Sequence, residues 1–257
     1  SSAADNLVAN NVTRVLSGRG GDDLLHGNAG NETLDGGGGQ DTAVYASATG
    51  GVTVDLGAGT ASGDASVGSD TLTSIENVIG GSSADTLIGD SGSNRLEGGS
   101  GGDTLTGGAN SDTFVIKSGE IGVDIITDFN VSEGDVLDIA ELLIGYDQET
   151  SDIHDFLQLT TTGGNTDIAV DADGTGGDFV IIAQLENTST DLETLVAGDN
   201  ISTDDIMPAG QRVLPYWSSV YASAPFTFEA VDPDYAERAE STRTQGGHVI
   251  IGGLVVK

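Results

Sequence analysis

Seven polar residues recur on two rows with a nine-residue step: Asp23, Glu32 and Asp41, then Asp85, Asn94, Asp103 and Asp112. Each stands two residues before an apolar one: Leu25, Leu34, Ala43, Leu87, Leu96, Leu105 and Phe114 in turn. A glycine usually stands two residues ahead of the polar one, as Gly21, Gly30, Gly39, Gly92 and Gly101 do. The unit reads G-x-x-G-x-D-x-L-x. It offers carboxylates beside glycine carbonyls, hard oxygen donors of the kind a calcium ion collects six to eight at a time.

Such donors need a frame. A three-residue strand places its middle side chain on one face, because side chains alternate with period 2. Six residues rich in Gly, Asn and Asp then turn the chain, glycine supplying positive φ and Asp or Asn closing local hydrogen bonds. Two units make one coil, so turns on one edge recur every 18 residues and stack Asp23 on Asp41, Asp85 on Asp103 and Asn94 on Asp112. Without a cation those carboxylates repel each other and the short strands hold poorly. The expectation is a chain that folds when it meets calcium. The candidate ligands are Asp23, Asp41, Asp85, Asp103 and Asp112, with Asn94 and Glu32 as weaker members and the carbonyls of Gly21, Gly39 and Gly101. Ser83 and Asn110 stand where the unit calls for glycine and mark weaker turns. A flexible glycine-rich linker would explain the glycines but not apolar residues at a fixed phase.

The stretches GRGGDDLLHGNAGNETLDGGGGQDTAV (18–44) and GGSSADTLIGDSGSNRLEGGSGGDTLTGGANSDTFV (80–115) resemble the RTX calcium-binding nonapeptide family. The resemblance implies an all-β fold, a parallel β-roll holding several calcium ions, over residues 1–115. Leu7 and Leu16 continue the nine-residue step upstream, where Asp5 fits the turn chemistry and Arg14 does not; the chain is expected to begin inside a longer roll. Between the blocks, 46–79 changes texture. Residues 51–56 and 72–79 each alternate as a strand, and Val78 lies nine residues before Leu87. This connector is expected to form longer coils that continue the roll.

Residues 116–200 read as a small mixed β/α capping module. VDIITDFNVSEGDVLDIAELLIG suggests a strand, a turn over Ser132-Glu133-Gly134 and a short helix from about Asp138. Ser151 is placed to cap a second short helix, SDIHDFLQL. Residues 167–171 and 178–182 form a hairpin pattern, and 190–196 a last helix. DTFVIKSGE, DIITDFNVSEGDVLDIAELL and LENTSTDLETLVAGDNI resemble the C-terminal target domain of proteins exported by type I secretion systems. That resemblance implies an export signal read by a membrane transporter while the chain is unfolded, and a terminal calcium site supplied by Asp124 and Asp128. Asp171-Ala172-Asp173-Gly174 opens like an EF-hand, but its twelfth position is Ile182 rather than Glu.

Residues 201–257 differ in composition: all four prolines, Trp217 and Met207 lie there. GDNISTDDIMPAGQRVLPY and GGHVIIGG resemble the swivelling domain of aconitase, in which the residue matching Asp204 belongs to the active site. Trp217 stands near where an arginine is expected, and the chain has no cysteine for that family's iron–sulfur cluster. The tail is therefore expected to be loosely ordered and inactive.

Composition bounds the rest. Forty-one acidic against 8 basic residues give a formal charge of −33, which opposes nucleic acid and anionic membranes as partners. No apolar run approaches the ~20 residues of a membrane span. His26, His154 and His248 are scattered without ligand spacing, and no nucleophile elbow, phosphate loop or zinc-protease helix is present. His26 is expected to be exposed. No enzyme is expected within the chain. The reading is a calcium-binding region of a secreted, extracellular or cell-surface exoprotein such as an adhesin. Its partners are calcium, a type I transporter during export, and a cell-surface or polysaccharide ligand. The alternative is an accessory roll of an extracellular hydrolase or polysaccharide epimerase.

Overall fold

The computed structural model describes residues 2–9, 15–147 and 150–203. The aconitase-like stretch from residue 204, with Asp204, Trp217, His248 and the loose packing expected of it, lies outside the described residues.

Two stacked sheets of very short strands make a parallel β-roll. The first holds eight strands, all parallel, in the spatial order Asn6–Val8, Leu24–His26, Thr42–Val44, Asn77–Ile79, Arg95–Glu97, Thr113–Val115, Val136–Asp138 and Ile201–Ser202. In the second, Val15–Ser17, Thr33–Asp35, Ser69–Thr73, Thr60–Ser62, Thr53–Asp55, Thr86–Ile88, Thr104–Thr106 and Asp124–Ile126 are followed by Val180–Leu185, Asn165–Val170 and Leu157–Thr162. The chain passes from one sheet to the other at each nine-residue step. In the first sheet Leu25 lies beside Ala43, Ala43 beside Val78, Val78 beside Leu96, Leu96 beside Phe114 and Phe114 beside Leu137. All seven apolar residues of the two rows are completely buried. Each fully buried leucine contributes roughly 1.5–3 kcal/mol, the main apolar support for strands too short to be stable alone.

The connector departs from expectation. Residues 72–79 do not form one strand. Ser74, at φ 50°, breaks the run into Ser69–Thr73 in the second sheet and Asn77–Ile79 in the first. The first sheet therefore gains a single rung. The second gains three strands, with Thr60–Ser62 antiparallel to both its neighbours. The connector is one coil with a reversed strand inserted, rather than a series of longer coils.

Both sheets run on beyond residue 116. Asp124–Ile126 and Val136–Asp138 add parallel rungs to the second and first sheets. The helix expected from Asp138 is a single 3-10 turn, Ala140–Leu142. The helix expected over SDIHDFLQL is a 3-10 turn, Ile153–Asp155, capped by Asp152 rather than Ser151, and the chain then extends as Leu157–Thr162. Strand pairing prevails there: Leu157–Thr162 is antiparallel to Asn165–Val170 along its whole length. The expected hairpin is present as Asn165–Val170 against Val180–Leu185. The last helix is Leu192–Ala197, whose first turn is capped by Asp191 accepting the Thr194 N–H at 2.8 Å.

Candidate calcium centres along the turn rows

The turns line up on the two edges of the roll, and their acidic residues form two columns. In each column a carboxylate oxygen, Oδ1 of the aspartates and Oε2 of Glu76, accepts the backbone N–H of the corresponding residue one coil earlier. Asp41 accepts from Asp23 at 2.9 Å, and Asp23 accepts from Asp5 at 2.7 Å. Glu76 accepts from Asp41 at 2.8 Å, Asp112 from Asn94 at 2.8 Å and Asp135 from Asp112 at 2.9 Å. On the opposite edge Asp70 accepts from Glu32 at 2.8 Å, Asp85 from Val52 at 2.7 Å, Asp103 from Asp85 at 2.8 Å and Asp124 from Asp103 at 2.9 Å. Asp23, Glu32, Asp41, Asp85, Asn94, Asp103 and Asp112 are all buried.

Three further column members, Asp70, Glu76 and Asp135, were not among the sequence-derived candidates. Asp124, expected only at a terminal site, is a fourth. Each follows the same local rule, standing two residues before Leu72, Val78, Leu137 or Ile126.

The second carboxylate oxygen carries the chemistry. Oδ2 of Asp23, Asp41, Asp103 and Asp112 is buried without a hydrogen-bond partner. Burial of an unpaired carboxylate oxygen is costly, and proteins resolve it with a proton or a cation. The first glycine of each unit packs against this oxygen. A Cβ on Gly18, Gly36, Gly98 or Gly107 would overlap the carboxylate of Asp23, Asp41, Asp103 or Asp112. The same Cβ positions lie against the Gly36 carbonyl at the Asp23 turn and the Ser74 carbonyl at the Asp41 turn. At the Asp85 and Asn94 turns they lie against the carbonyls of Gly98 and Gly107. Carboxylate and carbonyl oxygens thus crowd the same glycine, a set of acceptors that lacks a positive partner and fits a hard cation. The crowded carbonyls are those of Gly36, Ser74, Gly98 and Gly107. Gly21, Gly39 and Gly101 shape the turn with φ of 102°, 144° and 159°, and a Cβ on Gly39 would overlap the Gly21 carbonyl.

Electrostatics agree with this geometry. Burial pushes Asp103 up to about 7, helped by the neighbouring Asp124 and Asp85 carboxylates and opposed by the Asp85 N–H. Burial also pushes Asp112 up to about 7, with Asp135, Asp128 and Glu133 adding to it. Asp124 is raised to about 6 by burial, and Asp41, Asp85 and Asp135 are raised for the same leading reason. Among the described residues no three acidic or histidine side chains converge into a ready-made metal cluster. The acidic oxygens instead lie one coil apart beside backbone carbonyls.

Asn94 meets the same need differently. Its Nδ2 donates to the Glu76 carbonyl at 2.8 Å, and its Oδ1 accepts from the Asp90 N–H at 2.8 Å. At Asn110, φ of 74° puts an asparagine in the left-handed conformation the missing glycine would take, and its Nδ2 bonds the Ser91 carbonyl at 2.6 Å.

Asp124 and Asp128 do not share one terminal site. Asp124 ends the Asp85–Asp103 column. Asp128 lies on the other edge, where its two oxygens accept the Gly107 and Gly108 N–H groups at 2.9 Å each, in the turn that ends in Asp112. His26 is half-buried rather than exposed, with Nε2 unpartnered. His154 is exposed and lies between Asp152 at 2.8 Å and Glu193 at 3.3 Å. On the outer side of the first sheet Arg95 and Lys117 pair with Glu97 at 3.3 and 2.8 Å, and Arg95 also pairs with Asp138 at 3.4 Å. These cations neutralise two buried acids, so the cluster is a structural brace. Among the described residues no helix is long and apolar enough to cross a membrane.

Solved structures share features of this chain at low similarity. The extracellular lipase LipA from Serratia marcescens is 20% identical over 77% of this chain, with a TM-score of 0.33. The chain spans 37% of that lipase's length. The AlgE6R2 subunit of the mannuronan C5-epimerase from Azotobacter vinelandii is 22% identical over 76% of this chain and 95% of its own, with a TM-score of 0.34. No curated protein sequence matches the chain. The turn columns themselves match a described family: residues 15–43 and 79–114 carry four copies of the RTX calcium-binding nonapeptide repeat.

Proposed function

We propose that this chain is a calcium-folded roll from an exported protein, an adhesin or another exoprotein, and that calcium outside the cell drives its folding. The observation that carries the reading is the set of four buried carboxylate oxygens, on Asp23, Asp41, Asp103 and Asp112, that lack any donor. Those residues would hold the ions, together with Asp85 and with the carbonyls of Gly36, Ser74, Gly98 and Gly107. Asp128 and Asp135 flank the Asp112 turn. Asn94 contributes an oxygen but already satisfies its own amide. Bound calcium supplies the positive charge that lets neighbouring carboxylates stay ionised while buried. Sites of this kind bind at roughly 10⁻⁴–10⁻³ M when extracellular. At the far lower calcium of a cytosol the carboxylates repel, and the strands lack enough apolar burial to compensate. The chain then stays unfolded and transportable.

Calcium uptake by the full chain, followed by equilibrium dialysis, tests the binding. Several ions per chain at millimolar calcium are expected, with fewer for Asp112→Asn. No uptake would refute the reading. The export role rests on the resemblance of residues 116–200 to type I target domains. Deleting that segment should abolish transport by a type I exporter, and undiminished transport would contradict it.

A second reading, an accessory binding roll of an extracellular enzyme, is favoured by one surface. The outer face of the second sheet presents Thr33, Thr53, Thr60, Thr71, Thr86 and Thr104 to solvent. The same face carries Asp35 and Asp55, and hydroxyls beside a few carboxylates suit a saccharide. Retention of the calcium-loaded chain on a polysaccharide column, lost on replacing these threonines with lysine, would support it.

A further inference from the structure

One turn breaks the pattern of its neighbours. The nine-residue step that begins units at Gly18, Gly27 and Gly36 next reaches Tyr45, where a glycine is due. Tyr45 is completely buried, and its hydroxyl donates to Asp70 Oδ2 at 3.0 Å. Asp70 is itself buried, and its Oδ1 accepts the Glu32 N–H at 2.8 Å. At Gly18, Gly36, Gly98 and Gly107 the first glycine of the unit faces the carboxylate that ends its own turn. At Gly27 the neighbours are instead the Tyr45 ring and Asp70 Oδ2. The phenol therefore fills the space between the Glu32 turn, whose carboxyl is also buried, and the Asp70 turn one coil later, whereas the Asp23, Asp41, Asp103 and Asp112 turns leave a carboxylate oxygen without a donor.

We infer that the Tyr45 hydroxyl takes the cation's place at the Glu32–Asp70 level. On this basis the coil joining the two repeat blocks closes without calcium. The inference rests on the calcium reading of the other turns and adds a distinction among them. An O–H donor satisfies a single carboxylate oxygen, as a coordinated cation would, and a ring in the cradle excludes the ion. The reversed connector strand Thr60–Ser62 pairs directly with the strand that carries Asp70, Ala61 lying opposite it. The level at which the phenol stands in for the ion on Asp70 is thus the level at which the regular repeat is interrupted. It forms a fixed seam from which the calcium-dependent coils extend on both sides.

Two full-length variants test this with calcium alone as the probe. Tyr45→Gly restores the unit's glycine and empties the cradle; it should take up one more calcium ion per chain than the unaltered protein. Tyr45→Phe keeps the ring and removes only the donor. It should bind the unaltered number of ions, while its folded-to-unfolded ratio at fixed calcium near the midpoint falls about tenfold, because Asp70 Oδ2 loses its partner. A folded Tyr45→Gly chain with unchanged stoichiometry overturns the inference. If Tyr45→Gly does not fold at any calcium concentration, Tyr45→Phe decides, and an unchanged ratio overturns the inference. The two readings fail separately. An unaltered chain that binds no calcium refutes the calcium roll, whereas a calcium-binding chain indifferent to both substitutions refutes only the tyrosine seam.

Discussion

Replacing Asp103 by asparagine should change stability in opposite directions with and without calcium. Asp103 is completely buried between the Asp85 and Asp124 turns; its Oδ1 accepts the Asp85 N–H and its Oδ2 has no donor. Burial raises its carboxyl from 3.8 to about 7. A carboxyl raised on folding favours the native state fully at low pH, and that advantage disappears as pH rises toward and through the folded value. At 1.36 kcal/mol per pKa unit, the calcium-free fold loses about 4 kcal/mol at pH 8, where it must bury the ionised carboxylate, and about 2 kcal/mol at pH 5, where it must hold a proton that the unfolded chain has released. Asn keeps the Oδ1 acceptor and carries no charge, as Asn94 does in the other column. Asp103→Asn should therefore stabilise the chain in chelator at pH 8 by up to about 4 kcal/mol, and by about half that at pH 5. In saturating calcium it should destabilise, because a charged ligand is lost. Urea unfolding followed by circular dichroism measures both, with sucrose added so that the calcium-free fold is populated. Destabilisation in chelator at pH 8, or the same sign in both conditions, would refute the argument from a buried, unpartnered carboxylate.

Three other outcomes follow from the same geometry. In chelator the β-sheet signal should rise as pH falls from about 7 toward 4, because protons take up the charge of Asp103, Asp112 and Asp124, which are raised to about 7, 7 and 6; a signal that falls over that window would contradict it. Gly98→Ala introduces a methyl where the Asp103 carboxylate lies, and it should cost more than about 2 kcal/mol in calcium; a change below about 0.5 kcal/mol in thermal or urea unfolding would show the cradle to be loose. Leu105→Ala removes a completely buried rung between Leu87 and Ile126, for an expected loss of about 2–5 kcal/mol in calcium; near-neutral behaviour would mean that Leu105 does not face the core.

Much of the roll was legible because its signal is local and repeated. A polar residue two positions before an apolar one fixes both the strand and the turn that precedes it, and the seven apolar positions found this way are all buried. The step of nine found only the regular part. Asp70, Glu76 and Asp135 obey the same two-residue rule, but loops of other lengths separate them from their partners, which lie 38, 35 and 23 residues away. Fixed periodicity passes over Asp70 and Asp135, whereas Glu76 lies on the step, nine residues before Asp85, and is separated only from its upstream partner by an irregular loop. The connector was misread because alternation through Leu72–Ile79 does not reveal a break, and Ser74 provides one by adopting positive φ. SDIHDFLQL carries a helix-like start, yet pairing with Asn165–Val170 draws its second half into a sheet. The glycine that faces each carboxylate was visible only as a letter of the repeat, since its purpose depends on the coil that follows. Tyr45 was hidden for the same reason: its partner is Asp70, 25 residues away.

The most direct test of the calcium account is a far-UV circular dichroism titration of the full chain at pH 7.5, from chelator into calcium, with magnesium as the control. A cooperative gain of β-sheet with calcium and none with magnesium is expected, since magnesium demands near-octahedral geometry and gives up its waters reluctantly. A chain already fully β-sheet in chelator at that pH, and unmoved by calcium, would show that the apolar rungs hold the roll without help from the turn carboxylates.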